Sequence, residues 1–332
     1  MKAILASVHG EPCDVLCLGD VRAPLLGPGD VRIAPEAVSL NFLDVLICRG
    51  LYVATLPLPV IPGAELVGRV LEVGAEVSDR KRGDRVCAMS PGVPGALAEE
   101  IVVPAYATLP APEALAPEIA AVLLVTYQTA YFALHHRARL KRGETVLVHA
   151  GAGGVGTAVI QLARSSGARV IATAGGPEKV AICVREGADH AIDTASEDFV
   201  AAVMELTDGA GVDVVCDSVG GDVFLRSLDC MATEGRMVTI GFSAGSVPSV
   251  PCDRLLARNH DVLGLSWGST YPRWRPELVR DAHTELLDLL ANAQIAPLVS
   301  DVVEFGEAPA ALQRLADRRT TGKTVVRSHH AA

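Results

Sequence analysis

Thr145-Val-Leu-Val-His-Ala150 runs directly into Gly151-Ala-Gly153-Gly154-Val155-Gly156, and this junction decides the fold. A short apolar, β-branched run reads as a buried parallel strand. The glycines then open an apolar-periodic segment, Val155 to Ala163, that reads as a helix. Strand, glycine turn and helix together are the context in which G-x-G-x-x-G signals dinucleotide binding rather than an ordinary turn. Gly151 is expected to let the chain turn tightly, Gly153 to let backbone approach a pyrophosphate, and Gly156 to let helix and strand pack closely. The diphosphate would rest on the free N–H groups and positive dipole end of the helix starting near Gly154, beside Val155.

The next strand, Ala168-Arg-Val-Ile-Ala-Thr-Ala174, bears on which cofactor binds. An NAD site places Asp or Glu at this strand's end for the ribose 2′-hydroxyl. Val170 to Gly176 contains no acid, and Gly175-Gly176-Pro177 is followed by Glu178 and Lys179. A carboxylate there would repel a 2′-phosphate; its absence, with Lys179 one turn into the next helix, points to NADPH. The plainer reading of Lys179 is a solvated surface lysine, so the missing acid is the stronger half of the argument.

The 332 residues suffice for two domains, and 50% hydrophobic with 20% charged residues describes a chain with a full core. The most apolar segment, Ile119 to Leu134, is interrupted by Thr126, Gln128 and Thr129, and no membrane span is expected. Ala3 to Val8 is too short for a signal peptide, so the cytoplasm is the expected location. A net charge of −10 disfavours nucleic acid. Arg80-Lys81-Arg82 is bracketed by Asp79 and Asp84 and reads as a solvated turn. The 8 cysteines form no C-x-x-C pair, and they read as buried small hydrophobes or idle thiols. His149, on the central strand, reads as packed; His329-His330 read as part of a frayed tail.

Residues 1 to about 122 are β-rich, with turns at Gly27-Pro28-Gly29-Asp30, Pro62-Gly63 and Pro91-Gly92. Residues 123–266 alternate strand and helix. Further strands are expected at 191–193, 212–217, 235–241 and 261–266, with helices at 179–186, 198–207 and 223–231. The expected fold class is α/β, a doubly wound parallel sheet of six strands with the cofactor across the strands' carboxyl ends. Beyond it come a helix (276–291), a strand (299–305), a helix (308–316) and a last strand, Lys323 to Arg327, that is expected to return to the first domain.

Several stretches resemble the zinc-independent quinone oxidoreductase (zeta-crystallin-like) branch of the medium-chain dehydrogenase/reductase superfamily. They include Leu40-Asn41-Phe-Leu-Asp44, Gly50-Leu-Tyr52, Pro62-Gly63-Ala-Glu65-Leu-Val-Gly68, Gly83-Asp84-Arg85-Val86, Thr129-Ala-Tyr131, the glycine loop, Asp217-Ser-Val-Gly220 and Thr321-Gly322-Lys323. The resemblance implies a GroES-like catalytic domain (1–122 plus 267–332) and a Rossmann domain (123–266), with the active site in the cleft. Zinc enzymes of the superfamily carry metal ligands where this chain has Asn41, Ala64 and Val125, so no metal is expected. Without a Lewis acid an alkoxide is not stabilised. A quinone or an α,β-unsaturated carbonyl delocalises the incoming charge itself, and needs positioning more than a metal.

By the same resemblance Asn41 and Tyr52 face the nicotinamide and the acceptor, Asn41 offering its amide NH₂ and Tyr52 its phenol. Their plainer readings are a local loop bond and core packing. Thr129 is expected near the nicotinamide, or else as a helix-start cap, and Asp44 as a structural partner. Further cofactor contacts are implied at Gly241-Phe242-Ser243, Leu265-Ser266-Trp267 and Arg318. Thr194 stands where relatives often have a Tyr at the adenosine end, which shifts weight onto Lys179. A homodimer through the sixth strand is expected. The leading reading is an NADPH-dependent quinone reductase; the second is an enal, enone or enoyl-thioester reductase. A third, of another class, is a non-catalytic NADPH binder (crystallin-like or RNA-binding), against which the intact glycine loop with Asn41 and Tyr52 argues.

Overall fold

The computed structural model describes residues 1–52, 56–90 and 95–328, so the Pro91-Gly92 turn and His329-His330 lie outside the described residues. Two compact units are present. The first comprises Met1–Val125, Gly268–His283 and Val299–Ala332, and the second Thr126–Trp267 with Thr284–Leu298.

The first unit begins with β1 (Lys2–Ala6), β2 (Leu16–Asp20), β3 (Asp30–Ser39), β4 (Glu65–Val73), β5 (Arg85–Met89), β6 (Ile101–Pro104) and β7 (Thr108–Pro110). Strand alternation in β3 sends Val31 and Ile33 into the core while Arg32 faces outward, its guanidinium 3.0 Å from Glu100. The core gathers Ile4, Val31, Ile33, Leu66 and Leu97.

The second unit is built on β8 (Thr145–Val148), β9 (Arg169–Ala174), β10 (His190–Asp193), β11 (Val212–Asp217), β12 (Met231–Thr239) and β13 (Asp261–Gly264). All pair in parallel, in the order β10-β9-β8-β11-β12-β13. The order reverses between β8 and β11, which is where such sheets bind nucleotides. Leu147, Ile171, Val215, Phe224 and Met237 form its core. Among the described residues β13 has one strand neighbour, β12.

The chain end supplies β14 (Val299–Val303) and β15 (Lys323–Arg327). β15 joins the sheet of the first unit, between β14 and β3, in the order β14-β15-β3-β4-β5-β7, with β6 also on β3. The pairing of Val325 with Ser39 brings the start of β15 beside Leu40 and Asn41.

Thr284–Leu298, expected with the first domain, belongs to the second unit. There the Tyr131 hydroxyl donates to Glu285, and Gln161 exchanges hydrogen bonds with both backbone groups of Ala296. Among the described residues one helix, Pro117–Arg137, is long and apolar enough to cross a membrane by length and composition; 72% of its apolar window is buried in protein, as in a core helix. It contains two π-helical stretches, Leu123–Gln128 and Phe132–Arg137, flanking Thr129–Tyr131.

Candidate functional site

The cofactor residues expected in the second unit lie along one edge of its sheet. The glycine loop follows β8, Gly175 and Lys179 follow β9, and Thr194 follows β10. Gly241-Phe242-Ser243 follows β12, and Leu265-Ser266-Trp267 follows β13. Every one stands at a carboxyl end, where an open parallel sheet presents its ligand crevice. The loops are braced on one another: Ser243 N–H donates to Ser218 O at 3.1 Å, and Leu265 N–H to Thr239 O at 3.0 Å. Asp217, buried at the end of β11, accepts from the N–H groups of Val219 and Gly220 and sets the loop beneath Phe242.

The glycine loop has one difference from expectation. The residue in the left-handed region is Ala150, at φ +52°, and not Gly151. Gly151 is needed for space, since a Cβ there would lie 2.8 Å from Cys183 Sγ and 2.9 Å from Ala172 Cβ. Gly156 carries the closest approach: a Cβ would be 2.3 Å from Ala150 O and 2.7 Å from Gly151 Cα. Gly153 caps the helix Gly154–Ser165 in an extended conformation without a side chain of its own. The first-turn N–H groups of Gly154 and Val155 are therefore not capped by a Gly153 side chain, as an anion site requires.

At the end of β9, Gly176 N–H donates to Asp193 Oδ1 at 2.7 Å, and Ala195 N–H to the same oxygen at 3.0 Å. The sequence reading missed this carboxylate because it comes from the adjacent strand, β10. Lys179, half-buried in the helix Pro177–Glu186, stands on the same loop. Thr194 is exposed, its hydroxyl 3.2 Å from Ala174 O, and Arg318 occupies the left-handed position after the helix Ala308–Ala316 at φ +58°.

His149 is packed. Ser227 Oγ donates to Val223 O at 2.7 Å, so it accepts from His149 Nε2–H at 2.8 Å, leaving Nδ1 to accept from Thr173 Oγ1 at 2.9 Å. Burial pushes the ring's pKa down to about 3. Thr129 is buried inside the helix and its position is not the helix start, so it is no cap. Five cysteines, 48, 87, 183, 216 and 230, are buried, and burial pushes their thiols up to about 12.

In the first unit Asn41 opens the helix Phe42–Cys48, at the centre of a buried polar cluster. Its backbone N–H donates to Asp44 Oδ2 at 2.8 Å, and Gly63 N–H donates to Asp44 Oδ1 at 2.9 Å. Burial pushes Asp44 up to about 6. The Asn41 amide NH₂, expected to be offered to a substrate, is engaged instead: Nδ2 lies 3.0 Å from Ser39 O and 3.2 Å from Glu65 Oε2. Glu65 Oε1 accepts from Val125 N–H at 2.7 Å. Lys323 completes the cluster, with Nζ 2.6 Å from Asn41 Oδ1, 2.8 Å from Leu40 O and 3.7 Å from Glu65 Oε2. Burial raises Glu65 and lowers Lys323, and their mutual attraction opposes both. Tyr52, half-buried, packs against the core of this unit.

Residues 27–113 match the alcohol dehydrogenase GroES-like domain, and residues 154–284 match the family described as zinc-binding dehydrogenase. A quinone oxidoreductase of Pseudomonas aeruginosa is 36% identical over 98% of this chain and 99% of its own length. The chain belongs to the quinone oxidoreductase branch of the medium-chain dehydrogenase/reductase superfamily. A solved Escherichia coli quinone oxidoreductase, complexed with NADPH, has a TM-score of 0.91 at 32% identity, over 98% of this chain and 100% of that one. A solved 2-haloacrylate reductase has a TM-score of 0.86 at 30% identity, over 99% and 100%.

Zinc does not fit the residues at the matching ligand positions. Ala64 is buried and presents a methyl group, Val125 engages through its backbone N–H, and Asn41 Oδ1 faces an ammonium. Among the described residues no group of three or more His, Cys, Asp or Glu is arranged to hold a metal ion.

Proposed function

We propose that this branch member is an NADPH-dependent quinone reductase that passes hydride to its acceptor without a metal. The observation that carries the reading is the buried Asn41–Glu65–Lys323 cluster, which includes one metal-ligand position and adjoins the other two, Ala64 and Val125, so that a cation there would meet an ammonium and two side chains without a donor atom. An alkoxide has no Lewis acid to stabilise it there. A quinone takes up the charge in its own ring, leaving the protein to position the two reactants and exclude water. Tyr52 supplies the phenol that bonds the acceptor's carbonyl. Tyr52→Phe is expected to lower kcat/KM by roughly 1–3 kcal/mol without abolishing turnover. Chelators are expected to leave the rate unchanged; loss of turnover restored by zinc would overturn the metal-free reading.

NADPH rests on the glycine loop, with its 2′-phosphate at Gly175 and Lys179. The acid-free end of β9 supports this choice, and Asp193 opposes it with a charge drawn toward two backbone donors. Lys179→Ala is expected to weaken NADPH more than NADH by roughly 1–3 kcal/mol, the loss of one charge-assisted bond. Equal kcat/KM for the two cofactors in the unaltered protein would contradict the assignment. An enal or enoyl-thioester reductase is the second reading, and the similarity to a 2-haloacrylate reductase favours it specifically. It uses the same cofactor residues.

A further inference from the structure

The hydrogen bonds around Asn41 fix which of its atoms remains available. An ammonium only donates, so the Asn41 atom 2.6 Å from Lys323 Nζ is the oxygen. A carbonyl and a carboxylate only accept, so the atom facing Ser39 O and Glu65 Oε2 is the nitrogen. Both amide hydrogens are therefore engaged. Asp44 N–H gives its hydrogen bond to the Asn41 backbone carbonyl at 2.9 Å and only turns toward the side chain in the capping box, so Oδ1 is the Asn41 side-chain atom that can still accept. Lys323 is 6% exposed and Asn41 9%, so water competes little for these bonds. Turning the amide over would set its NH₂ against the Lys323 ammonium and its oxygen against the Glu65 carboxylate. Both contacts would be repulsive, and in a buried site such mismatches are costly.

We propose that Lys323 is a positioning residue that locks the Asn41 amide with its oxygen as the free atom. Asn41 then receives a hydrogen bond instead of giving one. This inference rests on the reading that Asn41 faces the nicotinamide. A quinone has no hydrogen to give, so the matching donor is the carboxamide NH₂ of the nicotinamide ring. Lys323 thereby orients the hydride donor through Asn41 and never touches the acceptor. The two charges act together: Glu65 holds the nitrogen side and Lys323 the oxygen side.

The test compares NADPH with its reduced 3-acetylpyridine analogue, which lacks the carboxamide NH₂, by fluorescence titration of the full chain. The unaltered protein is expected to bind the analogue about tenfold more weakly, the worth of one neutral hydrogen bond. Equal affinity for the two overturns the proposal whatever the variants do. In Lys323→Met/Glu65→Gln, which removes both buried charges together, the amide is free to turn and the discrimination is expected to fall below about threefold. Lys323→Arg keeps a cation and is expected to retain the discrimination. Circular dichroism verifies that each variant is folded. If Asn41→Ala abolishes the discrimination while the folded Lys323→Met/Glu65→Gln variant keeps it, Asn41 acts without Lys323 and the inference fails. If the unaltered protein discriminates and Asn41→Ala leaves both discrimination and turnover unchanged, it is the placement of Asn41 that fails, and the inference with it.

Discussion

Gly156→Ala is expected to destabilise the second unit by about 3 kcal/mol and to abolish measurable NADPH binding at micromolar cofactor. The added methyl would lie 2.3 Å from Ala150 O, 2.7 Å from Gly151 Cα and 2.9 Å from Gly151 C. All three are backbone atoms of the turn, so no side chain can swing aside. Relief requires the helix Gly154–Ser165 to move away from β8, and with it the N–H groups offered to the diphosphate. Calorimetry reads the stability and fluorescence titration the cofactor. Unchanged values for both would mean that this turn is not the phosphate cradle.

Asp44→Ala is expected to cost the first unit about 3–4 kcal/mol, because it strands two buried donors, Asn41 N–H and Gly63 N–H, at roughly 1–3 kcal/mol each. Gly63 cannot relax toward another partner easily, since it sits at φ +97° against the backbone of Leu97. The effect should depend on pH. Asp44, pushed up to about 6, holds its proton more tightly folded than unfolded, so its contribution falls as pH rises from about 4 to 6. His149, pushed down to about 3, does the reverse: its contribution is lost as pH falls from about 6.5 toward 3. Between pH 4 and 6 the two slopes oppose each other. Removing Asp44 should therefore uncover the His149 slope, and denaturant midpoints of Asp44→Ala should drop more steeply from pH 7 to pH 5 than those of the unaltered chain. Parallel curves would show that Asp44 carries no shifted proton.

The periodic elements were legible. The helices at 276–291 and 308–316 and the strand Lys323–Arg327 lie where spacing and Gly/Pro punctuation put them. The beginning of β12 was hidden. Expected at Gly235, it starts at Met231, because the polar stretch Ala232-Thr-Glu-Gly follows a register shift against β11 and carries no apolar alternation. Ala150 in the left-handed region was hidden for a different reason. Alanine rarely adopts positive φ, so its residue type gave no sign of it, and the neighbouring glycine drew the assignment.

The polar cluster was half legible. Asn41, Asp44 and Glu65 belong to stretches that carry the family resemblance, but their partner stands 282 residues beyond Asn41. Only the pairing of β15 with β3 brings Lys323 to them. Lys323 itself belongs to such a stretch, Thr321-Gly322-Lys323, and a lysine opening the strand Lys323–Arg327 was the further signal, since such a residue needs a buried acceptor if the strand is central. Asp193 escaped for the same kind of reason: its carboxylate reaches the β9 loop from a neighbouring strand, a contact made by register and not by sequence proximity.

The most direct measurement of the central claim is the steady-state kcat/KM for NADPH oxidation across simple ortho- and para-quinones, enals and enoyl thioesters, with the same preparation of the full chain. Quinone reduction that saturates with NADPH, and that no enal or enoyl thioester exceeds by a hundredfold, is the expected result. No NADPH oxidation with any quinone, or an enal or enoyl thioester used at least a hundredfold more efficiently, would contradict it and leave the double-bond reductase in its place.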